Sequence, residues 1–132
     1  MGAEPWQYFV PYESDFQRAL DKLKEREFAA GRFRYSEEGP TSIEEAREIA
    51  DADGTASILD IDRVDNEPDF GVVVLLSEQR MRDFFGTDRP DRATVQSSDE
   101  LFDEIERGQG VCCTVYANGR PSEICFSGYS YD

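Results

Sequence analysis

The chain contains no histidine. That absence removes Ser-His-Asp and Cys-His nucleophilic sets, histidine-ligated zinc and the HExxH helix of metalloproteases. Catalysis would have to use carboxylates, thiols, tyrosines, arginines or the two lysines, Lys22 and Lys24. Neither GxxxxGK[ST] nor GxGxxG occurs, so no phosphate-cradling loop is indicated. Long apolar runs are missing as well. The longest, Val72 to Leu76, is far short of the roughly 20 residues that span a bilayer. The opening MGAEPWQYFV has neither a basic n-region nor an apolar h-region, and a soluble, cytoplasmic protein is expected. Positive charge is also short. Against 29 acidic residues stand 14 basic ones, a net charge of -15, a field that repels nucleic-acid phosphates and anionic headgroups and attracts a cationic partner. The same charge serves simple solubility.

Cysteine is limited to Cys112, Cys113 and Cys125. An odd count argues against a secreted disulfide framework. Three thiols without histidine make an incomplete zinc site, and no cofactor is expected.

What is present suffices for one core. In 132 residues, 39% are hydrophobic, enough for a single domain spanning 1–132. WQYFVPY (6–12) reads as a strand with Trp6, Tyr8, Val10 and Tyr12 on one face. Ser14 to Gln17 has the capping-box pattern and opens a helix over about 15–30, with Gly31 as its stop. A second box at Thr41–Glu44, with the alternative register Ser42–Glu45, opens a helix that ends near Ala52 and Gly54. ASILDIDRV (56–64) alternates like a strand, placing Leu59 and Ile61 opposite Asp60 and Asp62. Gly71 to Ser77 reads as a central strand buried on both faces. Ser77 caps a short helix stopped by Gly86, TDRPDRATVQ is a loop with one helical turn, and Ser97–Glu100 opens a further helix that runs to Gly108. Asn118-Gly119 between two strand-like runs marks a two-residue hairpin turn. The order is β-α-α-β-β-α-α-β-β. It predicts an α+β domain with a mainly antiparallel sheet of four to five strands, helices packed on one side and a C-terminal hairpin.

Three groups of residues are candidates for chemistry. The stretch ADADGTASILDID (50–62) holds four aspartates and a glycine. Aligned to a calcium loop with Gly54 at position 6, Asp51, Asp53 and Asp60 fall at ligand positions 3, 5 and 12. Position 1 is Ile49, however, and a strand follows where a helix belongs. The better reading places Asp51 and Asp53 on solvated turns and Asp60 and Asp62 on the polar face of a strand. The hairpin forms the second group. Counting back from Asn118-Gly119 sets Cys112 opposite Cys125 in a non-hydrogen-bonded pair, where side chains come closest, with Val111, Cys113, Val115, Ile124 and Phe126 on the core face. This pair is a candidate reversible disulfide. The third group is aromatic. Trp6, Tyr8, Tyr129 and Tyr131 bracket the chain, and tyrosine and tryptophan are favoured interface anchors.

The residues favour a small acidic, non-enzymatic interaction protein that binds a cationic protein, an inhibitor or immunity-type protein being one concrete form. A thiol-based redox sensor on Cys112 and Cys125 is the second reading. A carboxylate or divalent-metal enzyme using Asp60 and Asp62 is the third.

Overall fold

The computed structural model describes residues 3–131. Its elements are β1 (Pro5–Pro11), α1 (Phe16–Ala30), α2 (Ile43–Ala50), β2 (Arg63–Asp65), β3 (Val72–Leu75), α3 (Glu78–Phe85), α4 (Arg92–Gln96), α5 (Asp99–Asp103), β4 (Gly110–Ala117) and β5 (Arg120–Tyr129), with short 3-10 turns at 36–38, 51–53 and 58–60. This is an α+β fold on one five-stranded sheet of order β1-β5-β4-β3-β2. Among the described residues no helix is long and apolar enough to cross a membrane.

Helix starts follow side-chain capping. Asp15, Ser42 and Ser77 each accept a hydrogen bond from a backbone N–H three residues on, which satisfies a donor that the first turn leaves free. For α2 this is the Ser42–Glu45 register, and for α1 the cap is Asp15 rather than Ser14. Gly31 and Gly86 end α1 and α3 in the left-handed conformation.

The sheet is mixed, not mainly antiparallel. β1 and β4 flank β5 antiparallel, whereas β2, β3 and β4 run parallel. The α3–α5 segment supplies the β3-to-β4 crossover that parallel pairing requires. Six residues, 66–71, make the β2-to-β3 return, which is possible because β2 has only three residues. Helices cover both faces rather than one. Leu20 and Leu23 of α1 and Ala46 of α2 pack with Trp6, Val10, Val73, Cys112, Ile124 and Phe126. Met81, Val95 and Leu101, one from each of α3–α5, pack with Val72, Val74, Val111, Cys113, Val115 and Cys125 on the other side. The apolar run of β3 supplies both layers.

β1 is an edge, and its prolines protect it. Tyr12 N–H donates to the Ser122 carbonyl, and Ser130 N–H to the Glu4 carbonyl. In the β1–β5 register the even-numbered residues of β1 therefore bond inward. Pro5 and Pro11 occupy positions whose N–H would point off the sheet, so they cost no ladder bond and remove donors from the open edge.

The hairpin turn has positive φ at Asn118 and Gly119, and Ala117↔Arg120 and Tyr116↔Pro121 pair as expected. A bulge then inserts Ser122, so that Val115 pairs with Glu123 and Cys113, not Cys112, faces Cys125. A one-residue shift turns every later side chain to the opposite face. Cys125 thus joins the α3–α5 side, while Ile124 and Phe126 join the α1–α2 side.

Trp6 is 6% exposed. Its ring occupies the space that a Cβ on Gly110 or Gly128 would need. Gly128→Ala is expected to lower stability by about 2 kcal/mol in urea titrations, the usual scale for overpacking. In a Trp6→Leu background the same substitution should cost less, leaving the two losses non-additive by more than about 0.5 kcal/mol.

Candidate functional site: an aromatic platform beside a buried carboxylate

The residues around 47–71 and 131 form the most unusual polar cluster of the described chain. ASILDIDRV does not begin as a strand. Ala56 has a positive φ, Ser57 accepts from Leu59 N–H, and a 3-10 turn over Ile58–Asp60 turns Ile58, Leu59, Asp60 and Ile61 all inward. Asp60 is therefore not on a solvated face, and only 1% of it is exposed. Its Oδ1 accepts from Thr55 N–H at 2.7 Å and from Thr55 Oγ1 at 2.8 Å. Its Oδ2 is buried with no hydrogen-bond partner. Burial drives the Asp60 carboxyl above the usual range, and the two bonds from Thr55 and the charges of Arg47 and Arg34 only partly oppose this.

Tyr131 covers the same spot. A Cβ on Gly54 would fall 3.0 Å from Asp60 Oδ2 and 2.9 Å from Tyr131 Cγ, so the buried oxygen and the base of the ring flank one point. The Tyr131 hydroxyl donates to the Asp60 carbonyl at 3.3 Å and accepts from Arg47 Nη2 at 3.3 Å. Arg47 also donates to Asp62 Oδ1 at 2.5 Å. Lys24 Nζ reaches the Ile61 carbonyl from α1 at 2.6 Å.

Phe70 lies against Tyr131, with ring centroids 4.6 Å apart and planes tilted by 32°. It is 55% exposed, the most exposed large hydrophobic residue of the described chain. Its ring fills the place of a Cβ on Gly108. Gly71 N–H donates to the Gly108 carbonyl and Asp62 N–H to the Gly71 carbonyl, both at 2.7 Å. The tight β2-to-β3 return is thereby pinned, and the platform is preorganised. Acid is dense in the neighbouring segments: Asp62 precedes β2, Asp65 ends it, Glu67 and Asp69 lie on the return, and Glu44, Glu48 and Asp51 on α2 and its end. The latter three, with Ile43, Arg47 and Tyr131, line an open cleft of about 440 Å³.

The structure separates the other residues singled out in the sequence. Trp6 belongs to the core. Tyr8 is partly buried, its hydroxyl accepts from Ile58 N–H, and burial pushes it up to about 12. Tyr129 meets Phe102 edge-on at 5.6 Å. Asp51, Asp53 and Asp60 are not brought together: Asp53 accepts from the Tyr35 hydroxyl, Asp60 points inward, and among the described residues no group of three His, Cys, Asp or Glu side chains is placed to hold a metal ion. Phe70 is the residue that sequence reasoning passed over. Its signal was a bare aromatic inside the acidic loop DNEPDF.

The thiols also differ from expectation. Tyr129 N–H donates to the Gln109 carbonyl. Cys125 shares that alternation, so Cys113–Cys125 is a hydrogen-bonded pair, in which side chains stand farther apart. All three thiols are buried, and burial raises each of them, Cys125 to about 12. Thiolate is the reactive form, so native protein at pH 8 should resist alkylation on a timescale of minutes, while urea-unfolded protein takes up three equivalents. Intact mass reads both states.

The chain matches no family model, no curated protein and no solved structure.

Asp60 yields a pH prediction. Its folded carboxyl titrates above its unfolded value, so its burial costs nothing below the unfolded range and opposes folding increasingly as pH rises through the folded range. Asp60→Asn keeps the acceptor for Thr55 and removes the charge. The variant should exceed wild type at pH 7 by on the order of 1 kcal/mol, and melting curves should converge as pH falls towards 4. Arg47, Tyr8 and Tyr131, whose ordinary titration ranges are all raised, stay in one protonation state across this window.

Proposed function

We propose that the protein is a non-enzymatic binding module for a cationic protein, and that Phe70 and Tyr131 form the centre of its docking surface. The observation that carries this reading is Phe70, a large aromatic 55% exposed on a pinned loop that also carries Glu67 and Asp69. An incidental exposed ring would not need a glycine floor at Gly108 and an adjoining ring at Tyr131 to hold it. Rigid aromatics lose little conformational entropy on binding and make efficient anchors.

Magnitudes assign the parts. Covering the open half of Phe70 is worth about 1 kcal/mol, far too little for a complex alone. The net charge of -15 supplies attraction, rapid encounter and rejection of acidic competitors. The aromatic pair then fixes where on the acidic surface the partner settles.

Phe70→Ala should leave the fold intact, because most of the ring is in water. In affinity capture from the source cell's lysate it should reduce retention of a basic protein about tenfold relative to wild type, and the wild-type complex should weaken steadily with added salt. Equal capture by wild type and Phe70→Ala, or binding indifferent to salt, overturns the proposal.

A further inference from the structure

Asp60 offers a more specific role within that surface. Its Oδ2 is the one buried carboxylate oxygen of the described residues without a partner, and such groups are costly enough to call for an explanation. Glu27 shows the contrast. It is equally buried, yet both of its oxygens are taken by Arg32 and one also by Arg26. At Asp60 no cation reaches the free oxygen. Arg47 is committed to Asp62 and the Tyr131 hydroxyl, and Arg34 donates to the carbonyls of Asp53 and Gly54.

Two acceptors lie behind one aromatic side chain: Oδ2, which has no donor, and the Asp60 carbonyl, whose donor is the Tyr131 hydroxyl at a long 3.3 Å. Tyr131 also borders the open cleft with Glu44, Glu48 and Asp51. We infer that Tyr131 is a displaceable plug, and that an arginine side chain of the partner takes its place, donating through a guanidinium to Asp60 Oδ2 and the Asp60 carbonyl. This inference rests on the reading of the Phe70–Tyr131 face as a docking surface. The chemistry selects arginine over lysine. A guanidinium presents donors as a planar fork to two acceptors and stacks on an aromatic ring, whereas an ammonium does neither. The displaced Tyr131 ring, still beside Phe70, provides the stacking wall. Around the site, Glu44, Glu48, Asp51, Asp53, Asp60 and Asp62 outnumber Lys24, Arg34 and Arg47, so the local balance of charge stays negative.

The test uses the full chain labelled with nitrogen-15, with N-acetyl-arginine amide as probe and the lysine and glutamine analogues as controls. The amide of Thr55, which donates to Asp60 Oδ1, reports the site. Arginine amide should shift the Thr55 and Gly54 resonances saturably in the millimolar range. The lysine analogue should be at least about fivefold weaker, and Asp60→Asn should abolish the saturable shift while keeping a folded spectrum. Loss of partner capture in Phe70→Ala but not in Asp60→Asn keeps the docking surface and overturns the arginine pocket. Absence of a saturable shift at Thr55, equal response to lysine amide, or an unchanged response in Asp60→Asn overturns it as well.

Discussion

Three aromatic rings occupy space that Cβ atoms would otherwise fill, and the arrangement of this end of the molecule depends on that exclusion. Trp6 lies on Gly110 and Gly128, Phe70 on Gly108, and Tyr131 on Gly54. The Trp6 contact binds the edge strand β1 to both strands of the hairpin beneath it. The Phe70 contact holds the β2-to-β3 return over the turn that precedes β4. In both places the backbone is close enough to pair: Gly71 N–H with the Gly108 carbonyl, and Gly108 N–H with the carbonyls of Tyr129 and Ser130. Only glycine permits this approach at Gly54, Gly71 and Gly108, where φ is also positive. The platform is thus a consequence of how the strands are joined, with little freedom of its own.

The two buried acids show how differently the fold treats charge. Burial alone would raise Glu27, but hydrogen bonds from Arg32 and Arg26 more than offset it and hold its carboxyl below the usual range. Glu27 thereby ties the end of α1 to the turn that follows. Asp60 receives two hydrogen bonds on one oxygen and none on the other, and burial wins. Hydrophobic contacts of Ile58, Leu59 and Ile61 hold Asp60 inside, because the 3-10 turn over 58–60 and its cap Ile61 bury those three side chains and Asp60 with them. Stability elsewhere in the core offsets a local cost at a position bordering the exposed aromatic pair. Costs of that kind concentrate at sites where function, not folding, sets the residue.

Much of the architecture was legible because its signals are local. Ser42, Ser77, Gly31 and Gly86 mark helix ends by hydrogen bonds and φ angles spanning only a few residues, and Asn118-Gly119 marks its turn the same way. The register of the hairpin was not legible. Ser122 is inserted where β5 must satisfy β1, more than a hundred residues away in sequence, and nothing in GRPSE announces it. The misread strand at 56–64 has a similar cause. Leu59-Asp60-Ile61-Asp62 alternates correctly, but Thr55 and Ser57 supply polar partners inside the protein, so the aspartate turns inward with its neighbours. The two-sided helical cover had a usable sign. A continuous run such as Val72 to Leu76 needs apolar neighbours on both faces, which a sheet covered on one side cannot provide. Phe70 is partly such a case: its acidic surroundings mark it as exposed, but only the glycine beneath it, distant in sequence, marks it as held.

Negative charge and aromatic surface answer different parts of recognition, and neither suffices alone. A field of many exposed carboxylates falls off over about 8 Å in physiological salt and is nearly featureless at that distance. It speeds encounter with any cation without choosing an orientation. Individual surface ion pairs add at most about 1 kcal/mol each. Orientation requires a feature that is singular on the surface, rigid before contact and unlike its surroundings. Phe70 meets these conditions: it is the most exposed large hydrophobic residue of the described chain, it lies against Tyr131, and the backbone bonds of Gly71 hold its loop. The shallow open cleft beside them, bordered by Tyr131, Glu44, Glu48 and Asp51, extends the contact area with further carboxylates. A partner that matched only the charge would slide over this surface, and one that also matched the pair and its cleft would stop there.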